Sequence, residues 1–530
     1  VKLVTSSGWY SSRGEEADLI VKYLNKVPGV KIHPKGSIDL HLTHLPLLPP
    51  ELTCEDRLAF KESKFDHPFE LREYQREAID FASIRPAVLF LHDLGMGKTA
   101  MALGTVQTPS IAIVPTSAIY GWKLAAEAMG MKVQILHGKY KRDYLDIEAD
   151  FYITTYGSAG YWLPCFKDLG EGPDLFGIYA DEIHLIHKKS LQATQAFAGT
   201  RCQFRCGLTA TPIRNRLPSL WGILNALQPK AWGTRVEFLE RYANAVMGPY
   251  GMEFGAPTHV EELASRLKEV AIRRMWAEPG MDKYRPTLVR ERIEVPITAR
   301  KRVQHLDKAT RKAMEKKRLG ASTLRRLTEQ RKEIGALKVK WAIESGWAQR
   351  EAEKSVRSIW WCWFKEQAYL LHATAKKWGI PADIITGDSL SNKRATVLEE
   401  WEYGDITKPR MIVATQGALN FAVNLTTAHS ALFLEYDWAP VNLVQAEKRH
   451  HRPGNPLKEV TASYLVIPGT TDDDIAEALY TKIEEEELIL GESGQLEQVG
   501  QLTDHGITTS STKALEELAA QICGRGKLDD

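Results

Sequence analysis

At 530 residues the chain is too long for one ordinary core, and two or three domains are expected. A formal charge of +2 gives no whole-chain signature of nucleic acid, and 44% hydrophobic with 26% charged residues is the composition of a soluble globular protein, not a disordered or fibrous one. No run approaches the roughly 20 apolar residues of a membrane span. The six cysteines are scattered, and only Cys202 and Cys206 lie close, so buried thiols are expected rather than zinc or disulfides. Val1-Lys2-Leu3-Val4-Thr5 has no signal-peptide block and no initiator Met, so a processed or truncated, intracellular chain is expected.

Residues 1–67 read as a small accessory module and linker. Ala17 to Leu24 has helical spacing, Val27-Pro28-Gly29 turns the chain toward a strand, and Leu45-Pro46-Leu47-Leu48-Pro49-Pro50 suits a linker. The apolar run Ala87 to Leu91 fits a buried strand, and it leads into His92-Asp93-Leu94-Gly95-Met96-Gly97-Lys98-Thr99 and then a helix-like stretch. Strand, glycine loop and helix in that order make a phosphate cradle in which Gly95, Met96 and Gly97 present backbone N–H groups. Lys98 reaches phosphate oxygens and Thr99 holds Mg²⁺. The first glycine of the general pattern is replaced by His92.

A second buried run, Phe176 to Ala180, ends at Asp181-Glu182-Ile183-His184. Two acids at the C-terminal end of a parallel strand suit a nucleotide crevice, with Asp181 on Mg²⁺ and Glu182 deprotonating the attacking water. Residues 68–290 therefore read as a first α/β ATPase domain. Between Lys301 and Lys340 the chain carries a dense run of Lys and Arg, broken at Gly320, expected as a helical protrusion or linker over 291–345. A cationic groove wall of this kind would gain affinity for a polyanion through counterion release, and a solvated helix pair is the alternative. Ile359 to Phe364 reads as the first strand of a second parallel sheet, over 346–485. Trp341, Trp347, Trp360, Trp361 and Trp363 are expected in the core rather than as base-stacking groups. Residues 486–530 form an acidic polar tail.

The order of further motifs resembles the Swi/Snf-like DNA translocases of helicase superfamily 2. Leu71-Arg72-Glu73-Tyr74-Gln75 resembles the adenine-reading Q motif. Ile113 to Ser117 with Trp122, and Ile153 to Gly157, resemble DNA-side motifs. Thr209-Ala210-Thr211-Pro212 resembles the coupling motif, and the extension Asn215 to Trp221 sets it apart from RNA helicases of the DEAD-box type. Ile385-Thr386-Gly387-Asp388 with Arg394, and Gln445-Ala446-Glu447-Lys448-Arg449-His450-His451-Arg452, match later motifs. One departs: Asn420 and Ala422 stand where glycines are common before Asn424.

The resemblance implies two RecA-like parallel-sheet domains facing each other across ATP, with Gln75 and Gln445 at the nucleotide and Arg449 and Arg452 as arginine fingers. It implies a DNA-dependent ATPase that translocates on double-stranded DNA and remodels branched or protein-bound DNA. Residues 1–67 faintly resemble the DNA-structure module of fork-remodelling annealing helicases, although a packing extension is favoured. The alternatives are an RNA helicase of the same superfamily and a non-hydrolysing scaffold, the latter disfavoured by the intact Lys98, Thr99, Asp181, Glu182, Arg449 and Arg452. A monomer of bacterial, archaeal or viral origin suits the compact length.

Overall fold

The computed structural model describes residues 2–3, 9–13, 15–24, 26–34, 37–49, 63, 65–138, 145–168, 175–186, 192–210, 217–248, 251–253, 258–276, 278, 280–296, 321–419, 425–435, 443, 446–470, 473 and 476. These fall into two compact units that divide between Met275 and Trp276. The expectations for Thr211 to Arg216, the basic segment 301–320, Asn420 to Asn424, Gln445 and the acidic tail lie outside the described residues.

The first unit opens with a small antiparallel sheet of β1 (Lys2–Leu3), β2 (Trp9–Arg13), β3 (Lys31–His33) and β4 (Ser37–His41), in the order β1-β2-β4-β3. The helix Glu15–Leu24 lays Ala17, Ile20 and Leu24 over it, against Tyr10, Ile38 and Leu40. The segment expected as a linker is instead a 3₁₀ helix, Leu42–Leu47. Its Leu42 and Leu45, with Leu48 beyond, close the module's core. Pro46 and Pro49 suggested an extended tether, but leucines at the intervening positions supply apolar area that is worth burying. The fully buried Arg266 fixes the module to the rest of the unit: it donates to Ala231 O at 2.8 Å and Tyr242 Oη at 2.9 Å, and its Nη2 lies 2.9 Å from His44 Nε2.

A seven-stranded sheet follows, built from β5 (Ala87–Phe90), β6 (Ser110–Val114), β7 (Val133–Leu136), β8 (Phe151–Thr155), β9 (Gly177–Asp181) and β10 (Phe204–Leu208). After the hairpin β11 (Val246–Gly248) and β12 (Gly251–Glu253) comes the edge strand β13 (Ala271–Ile272). The order is β13-β5-β10-β9-β6-β8-β7, and every pair is parallel. All residues of β5, β6 and β8 are buried, as strands covered by helices on both faces require. Register sets Leu208 level with both Phe90 and Asp181, so the segments after β5, β9 and β10 leave the sheet together along one edge.

The second unit holds a six-stranded parallel sheet of β14 (Thr287–Glu294), β15 (Arg357–Cys362), β16 (Ala382–Ile385), β17 (Arg410–Thr415), β18 (Ser430–Phe433) and β19 (Glu459–Val466), in the order β14-β19-β18-β15-β17-β16. β14 pairs with β19 over its full length, so the second sheet draws on residues placed before the boundary expected at 290. Its sequence, TLVRERIE, is charged because an edge strand is only half covered. The helix Ala321–Glu344 also belongs here: Ile334, Val339 and Ala342 pack with Trp360, Leu432 and Leu465. Trp360 and Trp361 are fully buried, and Trp341 stacks on Trp347 at 5.9 Å, as expected of core residues.

Gly335 on that helix meets the buried Glu435 just past β18, whose Oε2 accepts from the N–H groups of Trp363 and Phe364 at 2.8 and 3.0 Å. A Cβ at residue 335 would overlap Glu435 Oε1. Gly335→Ala is therefore expected to destabilise the second unit by about 1–3 kcal/mol despite the better helix propensity of Ala. Urea melts should show a lower midpoint for Gly335→Ala, and the double variant with Glu435→Ala should lose less than the sum of the two singles.

Candidate nucleotide site

The loop after β5 is shaped by two glycines in the left-handed region, Gly95 at φ 83° and Gly97 at φ 78°. A Cβ on Gly97 would sit 2.5 Å from Gln75 Nε2, so this position excludes other residues on both counts. The helix Glu73–Ser83 braces the loop from outside. Tyr74 Oη and Gln75 Nε2 both donate to Met96 O, at 3.2 and 3.1 Å, while Gln75 Oε1 accepts from Arg72 N–H at 2.9 Å. Gln75, expected to read adenine, thus supports the phosphate loop in this structure.

Lys98 and Thr99 open the helix Lys98–Leu103. The Lys98 ammonium donates back to His92 O at 2.7 Å and Asp93 O at 3.1 Å. His92 itself is fully buried between Tyr74 and Phe90. Desolvation, then the nearby Lys98 and Arg274, push its imidazole down to about 3, so the ring is neutral filler. A neutral ring adds no charge to the loop, and its packing against Tyr74 and Phe90 gives His92, where the general pattern has glycine, a place in the core.

Asp181 ends β9, and Glu182 follows it with a left-handed φ of 54°, which in a non-glycine residue costs on the order of 1 kcal/mol. That turn places Glu182 Oε2 at 3.2 Å from His184 Nδ1 and within 3.5 Å of Thr209 Oγ1; His184 and Thr209 are 3.0 Å apart. Thr209 stands immediately after β10, so the glutamate, the histidine and the first residue of the coupling motif form one cluster at the sheet edge. Burial and the adjacent Glu182 charge push the Asp181 carboxyl up to about 6, with Trp122 and Lys98 opposing. Two neighbouring carboxylates in a desolvated position repel each other, and a divalent cation relieves that cost. Lys98, Thr99 and this carboxylate pair therefore suit a magnesium–phosphate group in charge and donor type.

In the second unit, Glu447 is fully buried and anchors the turn that carries the expected fingers. Arg290 of β14 donates to both its oxygens, at 2.9 and 3.1 Å, and Tyr464 of β19 donates its hydroxyl to Oε1. Arg449 and Arg452 follow, their backbone tied by Leu425 N–H to Arg449 O and Asn455 N–H to Arg452 O. His450 and His451 are pushed down to about 4 and about 2, in each case mainly by burial, so their rings add no charge at neutral pH. Positive charge in this turn rests on Lys448, Arg449 and Arg452.

The model of the SNF2-related domain matches residues 56–337. The chain belongs to the SNF2-related family. The helicase conserved C-terminal domain matches residues 340–454. Among curated proteins, the chain is similar to the DNA annealing helicase and endonuclease ZRANB3 of Bos taurus, at 24% identity over 461 residues, covering 80% of this chain and 41% of that protein. It is likewise similar to the SWI/SNF-related matrix-associated actin-dependent regulator of chromatin subfamily A-like protein 1 of Xenopus laevis, at 24% identity over 454 residues, covering 80% and 44%. The chain thus spans less than half the length of these relatives. Among solved structures, the Sulfolobus solfataricus SWI2/SNF2 ATPase core in complex with dsDNA is similar at 17% identity and a TM-score of 0.39, covering 85% of this chain and 97% of that one.

For this SNF2-related chain, the sequence named Lys98, Thr99, Asp181 and Glu182 but not the groups that hold them in place. Trp122, expected with a DNA-side motif, donates to Asp181, and His184, read as part of the Asp181 to His184 run without a role, lies at Glu182, while Arg290 and Tyr464 at Glu447 carried no local signal.

The raised Asp181 pKa has a consequence. Raised to about 6, the Asp181 carboxyl carries a proton more often at pH 5.5 than at pH 7.5, and a cation placed there would have to displace it. The Mg²⁺ concentration giving half-maximal nucleotide binding is expected to rise several-fold between pH 7.5 and pH 5.5. Titrations of Mg²⁺ at fixed ADP by calorimetry check this; a requirement that does not change with pH would remove Asp181 from the cation site.

Proposed function

We propose that this chain is a DNA-dependent ATPase that couples hydrolysis to translocation along double-stranded DNA and remodels branched or protein-bound DNA. The observation that carries the reading is the Asp181–Glu182 pair leaving the same sheet edge as the Lys98 loop, with His184 and Thr209 set against Glu182. Membership of the SNF2-related family and the DNA-acting names of its relatives support the choice of DNA over RNA.

On this reading Lys98 leaves the carbonyls of His92 and Asp93 to neutralise phosphate oxygens, and backbone N–H groups from Gly95 to Gly97 take up the remaining charge. Thr99 and Asp181 would hold Mg²⁺, which when bound would supply charge to screen the phosphate oxygens. Glu182 accepts the proton of the attacking water, and His184 with Thr209 fixes the carboxylate's orientation as it does so. Arg449 and Arg452 supply guanidinium charge to the γ-phosphoryl oxygens, where negative charge spreads in the transition state. Gln75 keeps the loop in shape from behind, and Gln445 assists at the nucleotide. Thr209, held by the cluster and continuous with the coupling motif, is the point at which a change at Glu182 passes into the chain that follows.

Two measurements test this. ATPase stimulation by duplex DNA is expected to exceed stimulation by RNA and to fall as salt rises, because phosphate contacts release counterions; equal or greater stimulation by RNA would overturn the DNA assignment in favour of an RNA helicase. Arg452→Ala is expected to bind nucleotide with modest loss but to turn over roughly 10³-fold more slowly, the scale of a lost arginine finger, with DNA affinity retained by anisotropy. An Arg452→Ala protein still strongly stimulated by DNA would contradict that role.

A further inference from the structure

Asp181 is held at two points by residues from outside its own strand. The indole Nε1–H of Trp122, on the helix Ile119–Ala128, donates to Asp181 Oδ2 at 2.9 Å. The hydroxyl of Tyr156, at the start of the helix Tyr156–Asp168, donates to the main-chain oxygen of the same residue. Neither group can take the carboxylate's place. An indole N–H is a donor only and is neutral at every accessible pH, so it neither binds a cation nor competes for one. Trp122 is itself immobile: it is fully buried and stacks on Phe151 with ring planes 5° apart and centroids 6.2 Å apart. Tyr156 is partly buried, and desolvation beside Asp181 and Glu182 pushes its phenol well above the usual range, so it remains a donor throughout. Among the described residues, the donors to the Asp181 carboxylate are Trp122 and the Glu182 backbone N–H.

The two contacts act on different things. The Trp122 bond holds Oδ2 and so limits the rotation of the carboxylate. The Tyr156 bond pins the carbonyl of the peptide linking Asp181 to Glu182, just where the chain enters the left-handed turn that aims the Glu182 side chain. We propose that Trp122 and Tyr156 are positioning residues of the nucleotide site: Trp122 orients Asp181 for the metal, and Tyr156 orients Glu182 for the water. This rests on the reading of Asp181 and Glu182 given under Proposed function.

The test uses the full chain with three variants, and Mn²⁺ as the probe. Trp122→Phe keeps a ring against Phe151 and removes only the donor, Tyr156→Phe removes one hydroxyl, and Asp181→Ala removes the carboxylate. Binding of Mn²⁺ in the presence of ADP is read by the electron paramagnetic resonance of free Mn²⁺, and kcat and KM for ATP are measured alongside. Trp122→Phe is expected to weaken Mn²⁺ binding about tenfold, the scale of a lost hydrogen bond to a charged group. Tyr156→Phe is expected to leave Mn²⁺ binding within about twofold while kcat falls about tenfold or more. Asp181→Ala should abolish the ADP-dependent Mn²⁺ site. If Asp181→Ala abolishes the site while Trp122→Phe binds Mn²⁺ as the unaltered chain does, the role of Trp122 is overturned and the site reading stands. A kcat unchanged in Tyr156→Phe, or one that falls only together with Mn²⁺ affinity, overturns the role of Tyr156. If Asp181→Ala itself binds normally, the site reading fails first. Should Trp122→Phe melt more than a few degrees below the unaltered chain, Tyr156→Phe carries the test by its split between kcat and Mn²⁺ affinity.

Discussion

Two adjacent carboxylates at the end of a buried strand are an electrostatic problem that a protein leaves in place only where it is used. Asp181 and Glu182 repel each other in a position where burial already raises the Asp181 pKa. Their surroundings answer that cost piece by piece: an indole donor on one carboxylate, His184 and Thr209 at the other, and a lysine close enough to favour the charged form. The seven-stranded sheet keeps these groups together, because parallel register brings β5, β9 and β10 to the same edge. A site assembled from three strand ends needs all three strands in register, and their burial, complete in β5 and broken at one residue each in β9 and β10, supplies that.

The second unit uses a related device with a different purpose. Glu447 is buried and neutralised by Arg290, so the turn bearing Arg449 and Arg452 is tied to both β14 and β19. Truncating Arg290 would leave a buried carboxylate uncompensated, which is far more damaging than losing an exposed ion pair. With the two histidines of the turn neutral, its positive charge is concentrated on Lys448 and the two arginines.

Much of this was legible in the sequence because it is local. The loop from Gly95 to Thr99 is contiguous, the Asp181–Glu182 pair is contiguous, and the apolar runs before them have the length of buried strands. What escaped was non-local. Trp122 and Asp181 lie 59 positions apart and His184 and Thr209 lie 25 apart, and no periodicity joins such pairs. β14 escaped for another reason: an edge strand needs apolar residues on little of its surface, so its charged sequence offered no apolar run, and the boundary expected at 290 fell inside it. The prolines near Leu45 argued for an extended tether, whereas the leucines between them decided the outcome by entering the module's core.

If Thr99 and Asp181 share one cation bound with the nucleotide, a redox-active ion put in its place reports where it sits. Fe²⁺ put in place of Mg²⁺ with ADP reduces added hydrogen peroxide to hydroxyl radical, which cuts the nearest backbone, while ascorbate returns Fe³⁺ to Fe²⁺; the fragments are mapped by mass spectrometry. The account predicts nucleotide-dependent cleavage confined to the neighbourhood of residues 97–99 and 181–182, suppressed by excess Mg²⁺. Cleavage concentrated elsewhere, or identical without nucleotide, would contradict it.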